Sequence, residues 1–278
     1  MGKKTDYLGE ESKSILFLAA EKDYAEIVQI LINRNDINVN EISEIYGPIG
    51  QSYAYMTKKL TALHIAVENE NFESIKVLLS AININTNCIE YDTIPLRGIK
   101  EKTPLIIAIE KENSNIVQLL LSKSETNPNQ IYYYYDHKVP CEGSSYDELY
   151  SILTPLQLAI EKENKEIIQI LLDTKKIIIN DNGFKTSSSN RGRFINKTSE
   201  AALHMAVEKN NFDITQMLLS YDGINVNSSA IYNQRDNVNI ILFEKTPLYI
   251  AIENENIKII ELLLNNNKIN KNIELYRY

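Results

Sequence analysis

The chain has 278 residues, 44% of them apolar and 24% charged, with a formal net charge of −8 and two cysteines, Cys88 and Cys141. That supplies a buried core, while an acidic balance without a clustered basic face argues against a nucleic-acid partner. Two cysteines set no disulfide framework, so a reduced, cytoplasmic setting is expected; the opening MGKKTDYLGE has no apolar signal core, and no apolar run nears the ~20 residues of a bilayer span, so no membrane insertion is expected.

Along the chain, six segments align without gaps. They are SILFLAAEKDYAEIVQILIN from Ser14, TALHIAVENENFESIKVLLS from Thr61, TPLIIAIEKENSNIVQLLLS from Thr103, TPLQLAIEKENKEIIQILLD from Thr154, AALHMAVEKNNFDITQMLLS from Ala201 and TPLYIAIENENIKIIELLLN from Thr246. Their starts lie 47, 42, 51, 47 and 45 residues apart. Self-similarity of this kind marks a repeat array.

Each segment predicts two short helices. The first opens with Thr-Pro at Thr103, Thr154 and Thr246, a capping hydroxyl followed by a residue pre-set for the first turn. Leu63 and Ala66, Leu105 and Ala108, and Leu156 and Ala159 follow at helical spacing, the alanine admitting a close neighbour. After a polar break, an asparagine stands where the second helix starts: Asn71, Asn113, Asn164, Asn211 and Asn256. Its side chain suits an N-cap. The second helix carries an apolar stripe, such as Ile75, Leu78 and Leu79, or Ile167, Ile170, Leu171 and Leu172. One such hairpin cannot bury its apolar face alone. Stacked neighbours can, since each buried Leu or Ile contributes ~1.5–3 kcal/mol.

These residues resemble the ankyrin repeat. TALHIA at 61–66, with TPLIIA, TPLQLA and TPLYIA, is similar to the family's T-P-L-H-x-A motif. IVQLLL and IIELLL are similar to its second helix, and INVN at 37–40 and 224–227 to its closing turn, with an asparagine recurring at Asn40, Asn85, Asn129, Asn180, Asn227 and Asn272. The resemblance covers residues 14–272. It implies an all-α fold class, an ankyrin-type solenoid of stacked helix-turn-helix repeats with extended β-hairpin or finger loops, as a single array over 1–278. It also implies a protein-protein interaction scaffold that binds a protein partner through a concave groove and its fingers. A targeting or regulatory module of a larger protein is the alternative.

Two departures stand out. Where the family usually has glycine between the helices, this chain has Asp23, Glu70, Glu112, Glu163, Asn210 and Glu255. A positive φ there costs ~1 kcal/mol each. The family period is ~33 residues, and the extra length here falls in the fingers, 41–60, 86–102, 130–153, 181–200 and 228–245. They are expected to be long, irregular or partly mobile.

No P-loop, dinucleotide fingerprint, zinc-protease or hydrolase motif occurs, so no enzyme, no cofactor and no metal are expected. His64 and His204 share one repeat position and read as structural hydrogen-bonders that tie repeats together, while His137 in a finger lacks the ligand spacing of a zinc site. Two features point to a partner surface on what is expected to be a monomer. One is a column of Glu21, Glu68, Glu110, Glu161, Glu208 and Glu253, followed in four repeats by lysine, at Lys22, Lys111, Lys162 and Lys209. It reads either as a binding stripe or as a solvated face with weak ion pairs. The other is the fingers, which hold 11 of the 17 tyrosines, among them Tyr132, Tyr133, Tyr134, Tyr135 and Tyr146. Tyrosine suits binding loops, and packs equally well against a neighbouring finger.

Overall fold

The computed structural model of the chain describes residues 12–48, 55–94, 98–138, 147–188, 195–235 and 240–272. Each repeat forms a helix pair. They are α1 (Ile15–Glu21) with α2 (Ala25–Ile32), α3 (Ala62–Glu68) with α4 (Phe72–Ser80), and α5 (Pro104–Glu110) with α6 (Ser114–Leu121). Then come α7 (Pro155–Glu161) with α8 (Lys165–Asp173), α9 (Ala202–Glu208) with α10 (Phe212–Leu219), and α11 (Pro247–Glu253) with α12 (Ile257–Leu264). Thr103, Thr154 and Thr246 cap their helices through the side chain, as do Asn113, Asn164, Asn211 and Asn256 at the second helices. The odd helices stack in one layer and the even helices in another, and the repeated alanines Ala20, Ala66, Ala108, Ala159, Ala206 and Ala251 are fully buried between them.

The turn between paired helices is a Schellman closure, which needs one residue at left-handed backbone. The Asn113 amide donates back to the Ala108 carbonyl at 3.1 Å, and the Glu112 amide to Ile109 at 3.0 Å; Asn71 to Ala66 and Asn164 to Ala159 repeat the pattern. The left-handed residue is Asp23, Glu70, Glu112, Glu163, Asn210 or Glu255, at φ of 54 to 59°. These are the slots where the family places glycine. The side chains that replace it reach the next repeat. Asp23 accepts from the Ser74 amide and hydroxyl at 3.1 and 2.7 Å. Glu70 accepts from Asn113 at 2.7 Å, Glu163 from Asn211 at 2.9 Å, and Asn210 from Asn256 at 3.3 Å. Strain in one repeat is thus offset by a bond to its successor.

A second ladder runs along the repeat ends. The Asn40 amide donates to the Asn83 carbonyl at 2.7 Å and its oxygen accepts from the Asn85 amide at 2.8 Å. Asn87, Asn129, Asn180 and Asn227 each make the same two-sided bridge to the following repeat. The second member of this column is Asn87, which corrects the assignment of Asn85. Asn85 instead accepts from the Asn87 amide at 3.0 Å in the local turn, and two asparagines spaced by two made the register ambiguous.

The fingers are regular where described. β1 (Ser43–Pro48) pairs β2 (Tyr55–Leu60), β3 (Glu90–Ile94) pairs β4 (Gly98–Lys102), and β5 (Tyr132–Lys138) pairs β6 (Asp147–Leu153). β7 (Asn182–Ser188) pairs β8 (Ile195–Ala201), and β9 (Ala230–Arg235) pairs β10 (Ile240–Lys245). Neighbouring hairpins also pair, through Lys59 with Tyr91, Glu101 with Tyr133, Tyr150 with Thr186, and Ser199 with Ile231. One ten-stranded antiparallel sheet results, its strands in chain order. Order replaces the expected irregularity for a dimensional reason. A hairpin is two strands wide, ~9.6 Å at ~4.8 Å per strand, and packed helices stand ~8–10 Å apart. Stacked repeats therefore bring successive hairpins into pairing distance.

Glu255 has the strained backbone, and its side chain makes no hydrogen bond across a repeat junction among the described residues. Glu255→Gly should raise the unfolding free energy by about 0.5–1 kcal/mol. Glu163→Gly should gain nothing or lose stability, because it also removes the bond to Asn211. Urea denaturation of the two variants against the parent chain measures the difference; equal gains would show that the inter-repeat bond carries no weight.

Candidate partner-binding surface

The glutamate column closes the last turn of each odd helix, beside the base of the sheet. Lys13 pairs with Glu21 at 3.4 Å, Lys58 with Glu68 at 2.8 Å, and Lys102 and Lys245 bond Glu110 and Glu253 closely. These lysines, mostly buried, lie just before the helix or on the returning strand of a finger. Sequence reasoning passed over them, although Lys13, Lys102 and Lys245 share the position immediately before the aligned segments. Tyrosines from the next finger complete the site. The Tyr132 hydroxyl donates to Glu110 at 2.9 Å, and the Tyr232 hydroxyl bonds Glu208. Tyr232 also stacks on Phe243 at 6.1 Å, and the Lys245 ammonium lies 5.1 Å from Tyr232, 5.3 Å from Phe243 and 5.5 Å from Tyr249. Burial and the Glu208 carboxylate drive the Tyr232 phenol far above its ordinary range. Glu68, Glu110, Glu208 and Glu253 thus serve to fasten fingers to helices, while Glu21 holds the segment just before α1.

The lysine row is different. Lys111 is exposed, Lys162 stands 4.0 Å from Glu112, and Lys209 stands 3.7 Å from Glu161 and 3.9 Å from Glu163. These diagonal pairs cross from one repeat to the previous one in water. Each contributes ~0–1 kcal/mol, so a partner's carboxylate can replace them at little cost. Where the row holds asparagine, Asn69 donates to the Glu21 carbonyl at 3.2 Å and Asn254 to Val207 at 3.3 Å.

Of the tyrosine run, Tyr132 is 5% exposed and packs on the helices. Tyr133 is half-buried, between Glu101 of β4 and Ile152 of β6. Tyr134 and Tyr135 continue β5, with side chains outside the described residues, and Tyr146 lies wholly outside them.

The histidines are built into the first helices. His64 Nδ1 accepts from the Thr61 amide at 3.2 Å, and its Nε2 donates to the Cys88 carbonyl at 3.1 Å. Gln157 does the same work two repeats further on, accepting from the Thr154 amide at 2.9 Å and donating to Asp181 and Glu200 carbonyls at 3.1 and 2.9 Å. His204 Nε2 donates to the Ser228 carbonyl at 2.8 Å, but its Nδ1 has no hydrogen-bond partner among the described residues, and Ala201 lacks the hydroxyl that Thr61 places 2.9 Å from His64 Nδ1. These bonds tie each helix to the root of its own finger, and not one repeat to the next. Burial holds both imidazoles neutral, pushing them down to about 4. Burial likewise pushes the Cys88 thiol up, away from a reactive thiolate. The His137 backbone belongs to β5, and no group of three or more His, Cys, Asp or Glu is placed to hold a metal ion among the described residues. No helix among them is long and apolar enough to cross a membrane.

The chain matches the family described as ankyrin repeats (3 copies) over residues 16–132, 139–230 and 192–274. Comparison with curated proteins returns no match. Among solved structures it is similar to the ankyrin repeat domain of Bcl-3, a member of the IkappaB protein family, at 19% identity and a TM-score of 0.54, covering 92% of this chain and 86% of that one. It is also similar to the Legionella pneumophila effector AnkC, at 15% identity and a TM-score of 0.49, covering 88% of this chain and 62% of that one.

The histidine geometry has a pH consequence. The folded values lie below the unfolded value of 6.5, so the unfolded chain binds more protons between the two. Stability is then fully present above pH 6.5 and falls as pH drops toward 4. At pH 5 each histidine should cost about 2 kcal/mol relative to pH 8. His64→Gln with His204→Gln keeps the bonds that Gln157 shows to be possible. Melts at pH 8 and pH 5 should show a smaller acid loss in the double variant; an unchanged loss would refute the assignment.

Proposed function

The chain belongs to the ankyrin repeat family, whose repeats are generally protein-interaction modules, and on that premise we propose that it is a binding scaffold for a protein partner. The observation that carries this reading is the division of labour between repeats and fingers. Repeated residues are spent on holding the array together, whereas the non-repeating finger residues form one continuous sheet. A specific surface needs variation, and variation is concentrated there. The partner lies across the sheet and the adjoining lysine row, with Tyr133, Lys111, Lys162 and Lys209 as its contacts and acidic groups of its own meeting the lysines. Tyr134, Tyr135 and Tyr146 belong to the same surface by sequence. Tyr132 and the glutamate column support the surface from behind. The setting is cytoplasmic, which suits the free thiol of Cys88.

Tyr133→Ala combined with Lys111→Glu and Lys162→Glu should leave the thermal melt within a few degrees of the parent chain. In crosslinking pull-downs from the source cell, the same variant should lose most of the captured partner. Tyr132→Phe should instead lower stability by about 1 kcal/mol by deleting the bond to Glu110, with capture retained. Full capture by the triple variant would place the binding surface elsewhere.

A further inference from the structure

We infer that the outer face of the sheet docks an amphipathic α-helix of a partner protein, laid across the strands on its apolar side and carrying a lysine or arginine at each end. This goes beyond the binding role proposed above. It uses neither the lysine row nor the glutamate column, and shares only Tyr133 with that surface. The strand registers line up one continuous row. Glu101 on β4 stands opposite Tyr133 on β5, Tyr133 opposite Ile152 on β6, and Ile152 opposite Phe184 on β7. The row continues through Ser199 on β8 and Ile231 on β9 to Glu244 on β10. On the other side of Glu101 it reaches Tyr91 on β3. From Tyr91 to Ile231 every member has a paired strand on both sides, so the row belongs to the interior of the sheet. Strand residues alternate between the two faces of a sheet. Glu90, Tyr132, Ser151, Glu200 and Ala230 each adjoin a member of the row and are buried, so the row lies on the opposite face. Tyr91 is 41% and Ile231 45% exposed, Ile131 two residues before Tyr133 is exposed as well, and Tyr133 and Ile152 are half-buried.

Charge defines the ends of the occupant. On β1 and β2 the charges of the row satisfy each other, Lys59 pairing with Glu44 at 2.7 Å. Glu101 and Glu244 have no ion pair or side-chain hydrogen bond among the described residues. Between these two carboxylates the row is apolar or aromatic except at Ser199. Spacing defines the conformation of the occupant. The strand intervals from β4 to β10, ~4.8 Å each, set the carboxylates ~29 Å apart. That is the rise of ~19 helical residues at ~1.5 Å each. Successive turns of a helix come every ~5.4 Å, close to the ~4.8 Å between strands, so each turn meets about one strand. An extended chain presents same-face side chains every ~6.8 Å and drifts off the row. The segment that fits is therefore helical, apolar on one face, and basic at both ends.

Binding of synthetic peptides to the full chain, read by fluorescence anisotropy, tests this. The probe is a labelled, alanine-rich helix of ~24 residues with leucines along one face and a lysine near each end, ~19 positions apart. A second peptide has glutamate in place of both lysines, and a third has two prolines in the middle of the first. The lysine-ended helix should bind saturably and about tenfold more tightly than the glutamate-ended one. Glu101→Lys with Glu244→Lys should reverse that preference. Glu26→Lys with Glu166→Lys makes the same change of net charge on exposed residues of α2 and α8, and should keep it. Tyr91→Ser with Ile231→Thr should weaken binding of the lysine-ended helix by at least about tenfold. Lys111→Glu with Lys162→Glu should leave that binding in place, which separates this face from the surface proposed above. A circular-dichroism melt matching the parent chain confirms folding of each variant. The inference is overturned if the lysine-ended helix shows no saturable binding, or if the Glu101→Lys, Glu244→Lys chain keeps the preference of the parent. It is equally overturned if the proline-broken peptide binds as well as the helix. Self-association of the parent chain that Tyr91→Ser with Ile231→Thr abolishes would make a second copy the occupant, and would overturn it too.

Discussion

None of the helices among the described residues is longer than nine residues, and the first helix of every repeat has seven. Helices shorter than ~12–15 residues are marginal in water on their own. Each pair therefore exists only because its neighbours cover it, and the fold depends on how one repeat holds the next. Apolar burial supplies the attraction but no register, since Leu, Ile and Val pack in many ways. Register comes from hydrogen bonds that cross the junction at fixed places. The asparagine column bonds the backbone of each successor from both sides, and the residue at the left-handed corner bonds the start of the next second helix.

Once repeats stand at a fixed spacing, the sheet follows. A lone two-stranded hairpin is only marginally stable, and five separate ones would sample many positions. Held side by side at the width of two strands, they satisfy one another's edges, as β4 and β5 do through Glu101 and Tyr133. The lysines at the finger bases and the imidazoles or glutamine at the helix starts hold the roots of the hairpins against the odd helices. The residues further out are then relieved of any structural duty to the repeat, and this is why the fingers differ in length and sequence while the helices do not.

Much of the helical part was legible in the sequence. The recurring alanine, the Thr-Pro openings and the asparagine caps all carry local signals, and Ala66, Pro104 and Asn113 do what their positions predict. Even the left-handed corner could be read, because Glu163 stands in a slot that local geometry reserves for glycine. What crosses between repeats was not legible. Pairing of Tyr150 with Thr186 depends on the helix spacing, which no single finger contains. The glutamate column showed its regularity but not its purpose, since Lys58 and Glu68 meet only when a finger returns to its helix. Tyr132 and Tyr133 are neighbours of one type with opposite fates, decided by which face of β5 each occupies.

The absence of glycine at the corner is the clearest case of a local rule giving way to a non-local gain. Glycine would remove the strain at φ near 55°. It would also leave the corner with nothing to offer the next repeat. A carboxylate there accepts from the Asn that caps the following second helix, so one side chain satisfies a cap and fixes a junction at once. Asn210 achieves the same with an amide, and Asp23 does it with a shorter side chain by addressing Ser74 directly. Three different side chains converge on one task, which argues that selection at this position acts on the junction and not on the turn. Glu255, whose side chain makes no hydrogen bond across a junction among the described residues, bears the strain without the return.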